Sequence, residues 1–174
     1  INILRYVWDA IDHNPQAIND DAVFFDFNVD QHHFNKSNAY CIDHDNVSMG
    51  KNVKLAPSVV IDASDGPVIL GDNVKIMPQA TIIGPCYIGN NSVVKVGAKI
   101  YEDTSIGEVC KVGGEVEATI IHAYSNKQHD GFLGHSYICE WVNLGADTNN
   151  SDLKNTYGNI SVSLPDKEID TEKV

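Results

Sequence analysis

Three of the chain's seven histidines lie in one short segment of the sequence. They are His122, His129 and His135. An imidazole changes charge near neutral pH, so a histidine can take a proton from a reacting group or bind a metal ion. The sequence therefore predicts that chemistry, if the chain performs any, takes place around residues 122–135.

A six-residue repeat occupies most of the chain on the amino-terminal side of this segment. The aliphatic positions of the repeat are Met49, Leu55, Ile61, Leu70, Ile76, Ile82, Ile88, Val94, Ile100, Ile106 and Val112. A small or β-branched residue follows each of them four places later in nearly every hexad. A fixed short period of this kind is typical of a parallel β-solenoid, in which three strand-and-turn units close a coil of about 18 residues. A β-sandwich of short strands would not keep this register over so many units.

The repeat is interrupted at two places. Three extra residues around Ser64-Asp65-Gly66-Pro67 predict a looped-out corner. A longer interruption, residues 122–131 (HAYSNKQHDG), separates the main repeat from aliphatic positions that resume at residues 132, 138 and 144. We interpret this stretch as a loop that protrudes from the solenoid, and loops held by a regular scaffold often carry function.

The sequence divides into three regions. Residues 1–48 form a connector, predicted to contain a short amphipathic helix with a break or a new helix start at Pro15, a strand over Ala22–Val29 and an irregular lead-in over His32–Asp45. Residues 49–164 form the β-solenoid, and the alternating segment Ile160–Leu164 is interpreted either as a substitute ending or as a truncation. Residues 165–174 form a charged tail.

The connector also contains a group of potential metal ligands. These are His32, His33, Cys41 and His44. Their spacing matches no zinc-binding pattern, so we interpret them as polar loop residues and predict no metal site.

Composition narrows the function classes. The net charge of −12 argues against nucleic acid or an anionic membrane as a partner. The sequence contains no apolar run long enough to span a bilayer and no signal peptide. Its four cysteines do not form a disulfide framework, because Cys86 and Cys110 occupy inward positions of the repeat. A reduced, cytoplasmic protein is the expected context.

The segment from Ser125 to Asn150 (SNKQHDGFLGHSYICEWVNLGADTNN) resembles the acetyltransferase domain of bifunctional N-acetylglucosamine-1-phosphate uridyltransferases. It is most similar to related sugar nucleotidyltransferase-like proteins in which that domain follows a nucleotidyltransferase domain. The segment WDAIDHNPQAINDD near the amino terminus resembles the connector between those two domains. The resemblance implies a left-handed β-helix, acetyl-CoA as co-substrate, and a homotrimer with active sites between subunits.

The resemblance also implies roles for single residues. The family transfers an acetyl group to the amine of a sugar phosphate, and its catalytic histidine falls on His129. Asn143 matches an asparagine that contacts the sugar, and Asn150 lies near the place of a second one. Lys127 and Lys154 are the local cations available to a phosphate.

Two positions of the family pattern differ in this chain. The family's catalytic-site tyrosine falls on Phe132, which leaves Tyr137 as the tyrosine close by in sequence. The family's two phosphate-binding cations fall near Tyr101 and Thr119, and neither side chain can neutralise a phosphate.

Three functions are therefore open. The first is an acetyl-CoA-dependent N-acetyltransferase that acts on an amino sugar phosphate or a nucleotide-linked sugar, with His129 as base and with His122 and His135 as weaker candidates. The second is a non-catalytic β-helix that trimerises or regulates a sugar-1-phosphate nucleotidyltransferase. The third is a zinc site of the kind found in β-helical carbonic anhydrases, although the spacing of the three histidines is unlike that family's.

Overall fold

Three parallel six-stranded sheets form the sides of a triangular solenoid in the computed structural model, which describes residues 3–150 and 156–172. The first sheet consists of β1 (Tyr40–Ile42), β4 (Val60–Asp62), β7 (Thr81–Ile83), β10 (Lys99–Ile100), β13 (Glu115–Glu117) and β16 (Phe132–Gly134). The second consists of β2 (Val47–Met49), β5 (Val68–Leu70), β8 (Cys86–Ile88), β11 (Thr104–Ile106), β14 (Ile120–Ile121) and β17 (Tyr137–Ile138). The third consists of β3 (Lys54–Leu55), β6 (Lys75–Ile76), β9 (Val93–Val94), β12 (Lys111–Val112), β15 (Asn126–Lys127) and β18 (Asn143–Leu144).

Each coil adds one strand to every sheet, and equivalent residues of successive coils pair in register. In the first sheet, for example, Ile61 pairs with Ile82, and Ile100 pairs with both Ile82 and Val116. These side chains point inward and are almost completely buried. The six-residue repeat therefore produces vertical columns of aliphatic side chains, and the predicted parallel β-solenoid is confirmed.

The two predicted interruptions have different outcomes. The extra residues after Ala63 do form a corner, between β4 and β5. The loop predicted at residues 122–131 is wrong, because β15 lies in the middle of this stretch and pairs in parallel with β12 and β18. The change of register comes earlier, where the step from Val112 to Val116 covers four positions instead of six. Gly113 and Gly114 make this shortened corner, and Val116 is an inward residue of the next strand.

Lys127 occupies an inward position that every other coil fills with an aliphatic residue. Its column in the third sheet contains Leu55, Ile76, Val94, Val112 and Leu144. The Lys127 side chain is 2% exposed, and its Nζ donates hydrogen bonds to the carbonyls of Gly113 (3.1 Å) and His129 (3.0 Å). The ammonium group thus satisfies carbonyl groups at the shortened corner and at the corner stacked on it.

The connector is more helical than the sequence predicts. Helix α1 (Val7–Asp21) continues through Pro15, and a 3-10 helix (Ala22–Phe24) replaces the first part of the predicted strand over Ala22–Val29, so that prediction is wrong. Helix α2 (Gln31–Ser37) and β1 occupy the predicted irregular lead-in. The strands of the solenoid therefore begin at residue 40 rather than 49.

Helix α1 packs on the outer face of the second sheet, which explains why it passes through a proline without a break. Asn14 and Ile18, on either side of that residue, are buried. The Asn14 side chain donates to the carbonyl of Asp103 (2.7 Å) and accepts from the hydroxyl of Ser105 (2.8 Å). Tertiary contacts on both sides of Pro15 thus hold the helix together where its own backbone hydrogen-bond pattern is interrupted.

The two ends of the solenoid differ in what covers them. Phe34 of helix α2 is completely buried in the core cluster beside the first coil. Beyond the last coil, β19 (Ser161–Leu164) and β20 (Lys167–Asp170) form an antiparallel hairpin in a sheet of their own. The segment Ile160–Leu164 is thus part of a hairpin and not a further coil, and strand structure extends into the predicted charged tail. Within the described ranges, no helix has the length and apolarity needed to cross a bilayer.

We expect Lys127→Met to lower the free energy of unfolding, because it removes the donor from a buried carbonyl group at Gly113 and from a partly buried one at His129. Each unsatisfied acceptor costs about 1–3 kcal/mol. Lys111→Met, an exposed position on the same sheet, is the matched control and should change stability little. Denaturant unfolding monitored by circular dichroism measures both.

The same pair of variants should show a pH dependence. Burial lowers the pKa of the Lys127 ammonium from its ordinary value of 10.5, and the charge of Asp130 acts in the opposite direction. The unfolded chain then binds more protons at this position than the folded chain between the lowered pKa and about 10.5, so the contribution of Lys127 to stability rises with pH in that window. The difference between the wild type and Lys127→Met should widen from pH 7 to pH 10. Equal stability of the two chains at both pH values would contradict the assigned role.

Candidate functional site

His129 lies at the corner between the third and first sheets, which residues 128–131 form between β15 and β16. It is exposed, and its backbone carbonyl accepts the hydrogen bond from Lys127. The corner is thus fixed from inside the solenoid while the imidazole faces solvent. A base that must meet an incoming substrate needs this combination of a fixed backbone and an accessible ring.

Lys127 is not accessible in the same way. It lies two residues before His129 along the chain, but its ammonium group lies in the core and already contacts two carbonyl groups. This placement argues against the predicted contact between Lys127 and a substrate phosphate.

A shallow depression adjoins the His129 corner on the outer side of the first sheet. Gly97, Gly114 and Gly131 line it together with Lys99, Asp130 and Phe132, among other residues. A Cβ atom on Gly114 would lie 2.8 Å from the His129 carbonyl oxygen, and one on Gly131 would lie 2.3 Å from the Thr148 carbonyl oxygen. Glycine therefore keeps neighbouring coils in close contact at this corner.

Lys99 is a cation beside this depression that sequence reasoning missed. Its Nζ lies 3.2 Å from the Glu115 carboxylate, and its side chain is 57% exposed. Lys99 precedes an inward isoleucine in an ordinary hexad, so nothing in the local pattern distinguishes it. The signal appears only with the correct register, which places Glu115 beside Lys99 and Phe132 beside Glu115.

Asn150 and its neighbour Asn149 serve the edge of the last coil. The Asn150 side chain accepts from the Gly134 amide (2.9 Å) and donates to the Gly134 carbonyl (2.7 Å), as a further strand would. Asn149 accepts from the Phe132 amide (2.8 Å). The predicted substrate role of Asn150 therefore competes with a structural one. Asn143 is exposed on the outer face of β18 and pairs in register with Asn126.

Tyr137 lies on the second sheet, away from the His129 corner. Its hydroxyl is 2.6 Å from Nε2 of His122, and the two rings are 4.9 Å apart. The third histidine, His135, is exposed after β16. The structure therefore distributes the predicted residues over several sides of the solenoid and pairs Tyr137 with His122, not with His129. Lys154 lies outside the described residues.

No group of three possible metal ligands occurs in the described part of the chain. Of the connector group, His32 and His33 lie in helix α2, Cys41 lies in β1, and His44 Nδ1 contacts the Asp45 carboxylate at 3.0 Å. The zinc alternative gains no support from these positions.

The repeat has counterparts in known proteins. Residues 67–102 match the family model described as bacterial transferase hexapeptide (six repeats). Bifunctional protein GlmU of Rippkaea orientalis is 31% identical over 107 residues, 58% of this chain and 21% of that protein. GlmU of Acidithiobacillus ferrooxidans is 34% identical over 104 residues, 59% of this chain and 22% of that protein. The uncharacterized acetyltransferase YaiX of Escherichia coli is 32% identical over 123 residues, 70% of this chain and 54% of that protein.

This domain is a left-handed hexapeptide-repeat β-helix of the acetyltransferase-like type. The matched region spans about a fifth of the GlmU proteins and about half of YaiX. The similarity therefore covers the hexapeptide β-helix and leaves most of each GlmU chain without a counterpart here.

One corner of the hexapeptide β-helix changes character along its length. Between the second and third sheets, each coil contains a residue with positive φ. In the first three coils this residue is Asn52, Asn73 or Asn91, and their side chains form a hydrogen-bonded ladder, with Asn52 donating to Asn73 (3.2 Å) and Asn73 donating to Asn91 (3.0 Å). Asparagine tolerates this left-handed conformation well.

In the last three coils the equivalent residues are Val109, Tyr124 and Trp141, with φ of 56°, 60° and 63°. We call these three residues the corner ridge. This conformation is less favourable for such residues than for asparagine, although positive φ also occurs at other corners, for example at Ser58 and Gln79. The corner ridge was not predicted from the sequence, because the repeat was traced through the inward residues and not through the corner residues.

We expect Asn150→Ala to lower the melting temperature and Asn143→Ala to leave it nearly unchanged. The first substitution removes hydrogen bonds to both backbone groups of Gly134, whereas the second removes an exposed side chain. Differential scanning calorimetry of the two variants tests this. Equal melting temperatures would mean that the Asn150 amide does not hold the edge of the β-helix.

Proposed function

We propose that this chain is an acetyl-CoA-dependent N-acetyltransferase domain of a sugar nucleotidyltransferase-like protein. Its acceptor is an amino sugar phosphate or a nucleotide-linked sugar. The observation that carries this proposal is the exposed His129 imidazole on a corner fixed by Lys127, beside a depression with an accessible ammonium group at Lys99. The similarity to an acetyltransferase and to GlmU proteins supports the reaction class.

In the proposed reaction the acceptor amine attacks the thioester carbonyl carbon of acetyl-CoA. A nitrogen–carbon bond forms, the carbon–sulfur bond breaks, and the CoA thiolate leaves. His129 takes the proton of the attacking amine and returns it to the thiolate. The acceptor must therefore carry a free amine, and the site must hold it with the nitrogen directed toward the imidazole.

Charge near the site limits how a phosphate is held. Lys127 is buried, which leaves Lys99 as the accessible cation in this depression among the described residues. We propose Lys99 as the contact for an anionic group of the acceptor, with its ion pair to Glu115 opening on binding; the carboxylates of Glu115 and Asp130 in the same depression oppose a second negative charge there. Asn143 remains a proposed sugar contact on the neighbouring third sheet.

We also propose a homotrimer, in line with the assembly that the resemblance implies. Helix α1 covers the outer face of the second sheet, so the first and third sheets are the flat faces left for subunit packing. A neighbouring subunit on the first sheet would deepen the depression beside His129. We propose the cytoplasm as the compartment of this chain, where the free thiols of the four cysteines would stay reduced.

A non-catalytic role in trimerisation or regulation is the second candidate, and specific positions favour it. Thr119, near the place of one family phosphate cation, is completely buried, and its hydroxyl donates to the Glu117 carbonyl (2.7 Å). Together with the burial of Lys127, this leaves few contacts for a sugar phosphate among the residues that the structure describes.

Titration of acetyl-CoA into the chain by calorimetry, followed by turnover assays with glucosamine phosphates, separates these functions. We expect binding in both the wild type and His129→Ala, and a loss of turnover in the variant of about 10²–10⁴-fold, as for a missing general base. His13→Ala, exposed on helix α1, is the matched control and should retain full turnover. Absence of acetyl-CoA binding to the wild type would refute the acetyltransferase and favour the non-catalytic module.

A further inference from the structure

We propose that the corner ridge is a binding platform for a pyranose ring that carries no phosphate, with Trp141 stacked on the sugar and Glu108 receiving its hydroxyl or ammonium donors. The platform is separate from the His129 corner, because it lies between the second and third sheets and His129 lies between the third and first. It therefore does not rest on the proposed acetyl transfer.

The first support is the presentation of the rings. Trp141 and Tyr124 stack with centroids 4.8 Å apart and planes inclined by 12°. Trp141 nevertheless remains 76% exposed, and Val109 next along the ridge is 42% exposed. The stack holds the indole in one orientation and leaves most of it open to solvent. A rigid, exposed aromatic surface suits the flat face of a sugar ring, whose C–H groups pack against the π-electrons.

The second support is the backbone. The first three coils show which residue this corner accommodates without strain, namely an asparagine that bonds to its neighbours in the ladder. Tyr124 and Trp141 retain the same left-handed backbone without that ladder. At this corner the stacked rings of Tyr124 and Trp141 thus take the place of the asparagine ladder, on a backbone conformation that other corners of the solenoid share.

The third support is charge, and it defines the ligand. The Tyr124 hydroxyl donates to a Glu108 carboxylate oxygen at 3.0 Å, and Glu140 precedes Trp141 in the chain. This hydrogen bond raises the pKa of the Tyr124 phenol, and the negative charges of Glu108 and Glu140 act in the same direction. Two carboxylates beside an exposed indole repel a phosphate and attract hydroxyl groups. They attract an ammonium group more strongly still, since the indole face also favours a cation.

The test uses Trp141 as a fluorescent probe of sugar binding. The chain has two tryptophans, so Trp8→Phe leaves Trp141 as the only indole and keeps an aromatic ring next to Tyr6. Glucosamine, glucose and glucosamine 6-phosphate are titrated into this variant while the emission is recorded. We expect a saturable change in the Trp141 emission with glucosamine. The affinity should be lower for glucose and lowest for glucosamine 6-phosphate. No saturable change with either unphosphorylated sugar, or equal affinity for the phosphate, would overturn the proposal.

Trp141→Asn provides the matched variant, because asparagine is the chain's own choice at this corner. It should fold with an unchanged or higher melting temperature and should weaken glucosamine binding by at least about tenfold, the scale of a lost stacking contact, as measured by calorimetry. Glu108→Gln should reduce the preference for glucosamine over glucose.

If Trp141→Asn binds glucosamine as well as the parent chain, the ridge is not the site. If it instead lowers the mass found by light scattering, the ridge is a contact between copies of the chain and the sugar proposal fails. Turnover with acetyl-CoA is read separately in the same variants, so a failure here leaves the His129 proposal untouched, and the reverse also holds.

Discussion

Each coil of this β-helix must place one inward side chain on each of its three sheets directly over the equivalent side chain of the coil before. That stacking requirement buries the aliphatic columns and fixes the register of every strand. It also allows the outward-facing corner residues to vary, because their side chains lie outside the columns, whereas inward-facing corner residues such as Val59 and Ala80 are buried in the core. The strands are only two or three residues long within the solenoid, so almost every side chain available for chemistry lies at or beside a corner.

The buried Lys127 lies where one corner departs from the regular stacking of the coils. Gly113 and Gly114 shorten one corner by two residues, and the carbonyl groups of that corner and the next need a donor inside the solenoid. An ammonium group on a long flexible stem supplies it, at the cost of burying a charge. The same hydrogen bonds hold the backbone of His129, so a feature of core packing and the position of the candidate base have one physical cause.

The sequence predicts those parts of the structure that follow the six-residue repeat and not those that depart from it. The solenoid and the corner after Ala63 follow directly from aliphatic residues six positions apart. The shortened corner does not, because Val116 fits a small-residue position as well as an inward one, and from there the register was lost and a loop was predicted in place of β15. The resemblance predicts roles for His129 and Lys127, but the burial of Lys127 and the pairing of Tyr137 with His122 depend on which sheet each residue belongs to. The prediction for the connector was wrong for another reason. Contacts with the second sheet, such as those of Asn14, keep the helix intact although Pro15 locally favours a break.

The two ends of the solenoid are closed by different side chains, so they differ in how easily a coil could be added. At the first coil, the phenyl ring of Phe34 is a completely buried plug, and adding a coil there would require removing a core side chain. At the last coil, the side-chain amides of Asn149 and Asn150 bond to the edge strand, and main-chain amides of a new coil could exchange for them at little cost. Gain or loss of whole repeats therefore differs between the two ends of the solenoid. It disturbs the fold little at the end closed by Asn149 and Asn150, and it disrupts the core at the end closed by Phe34.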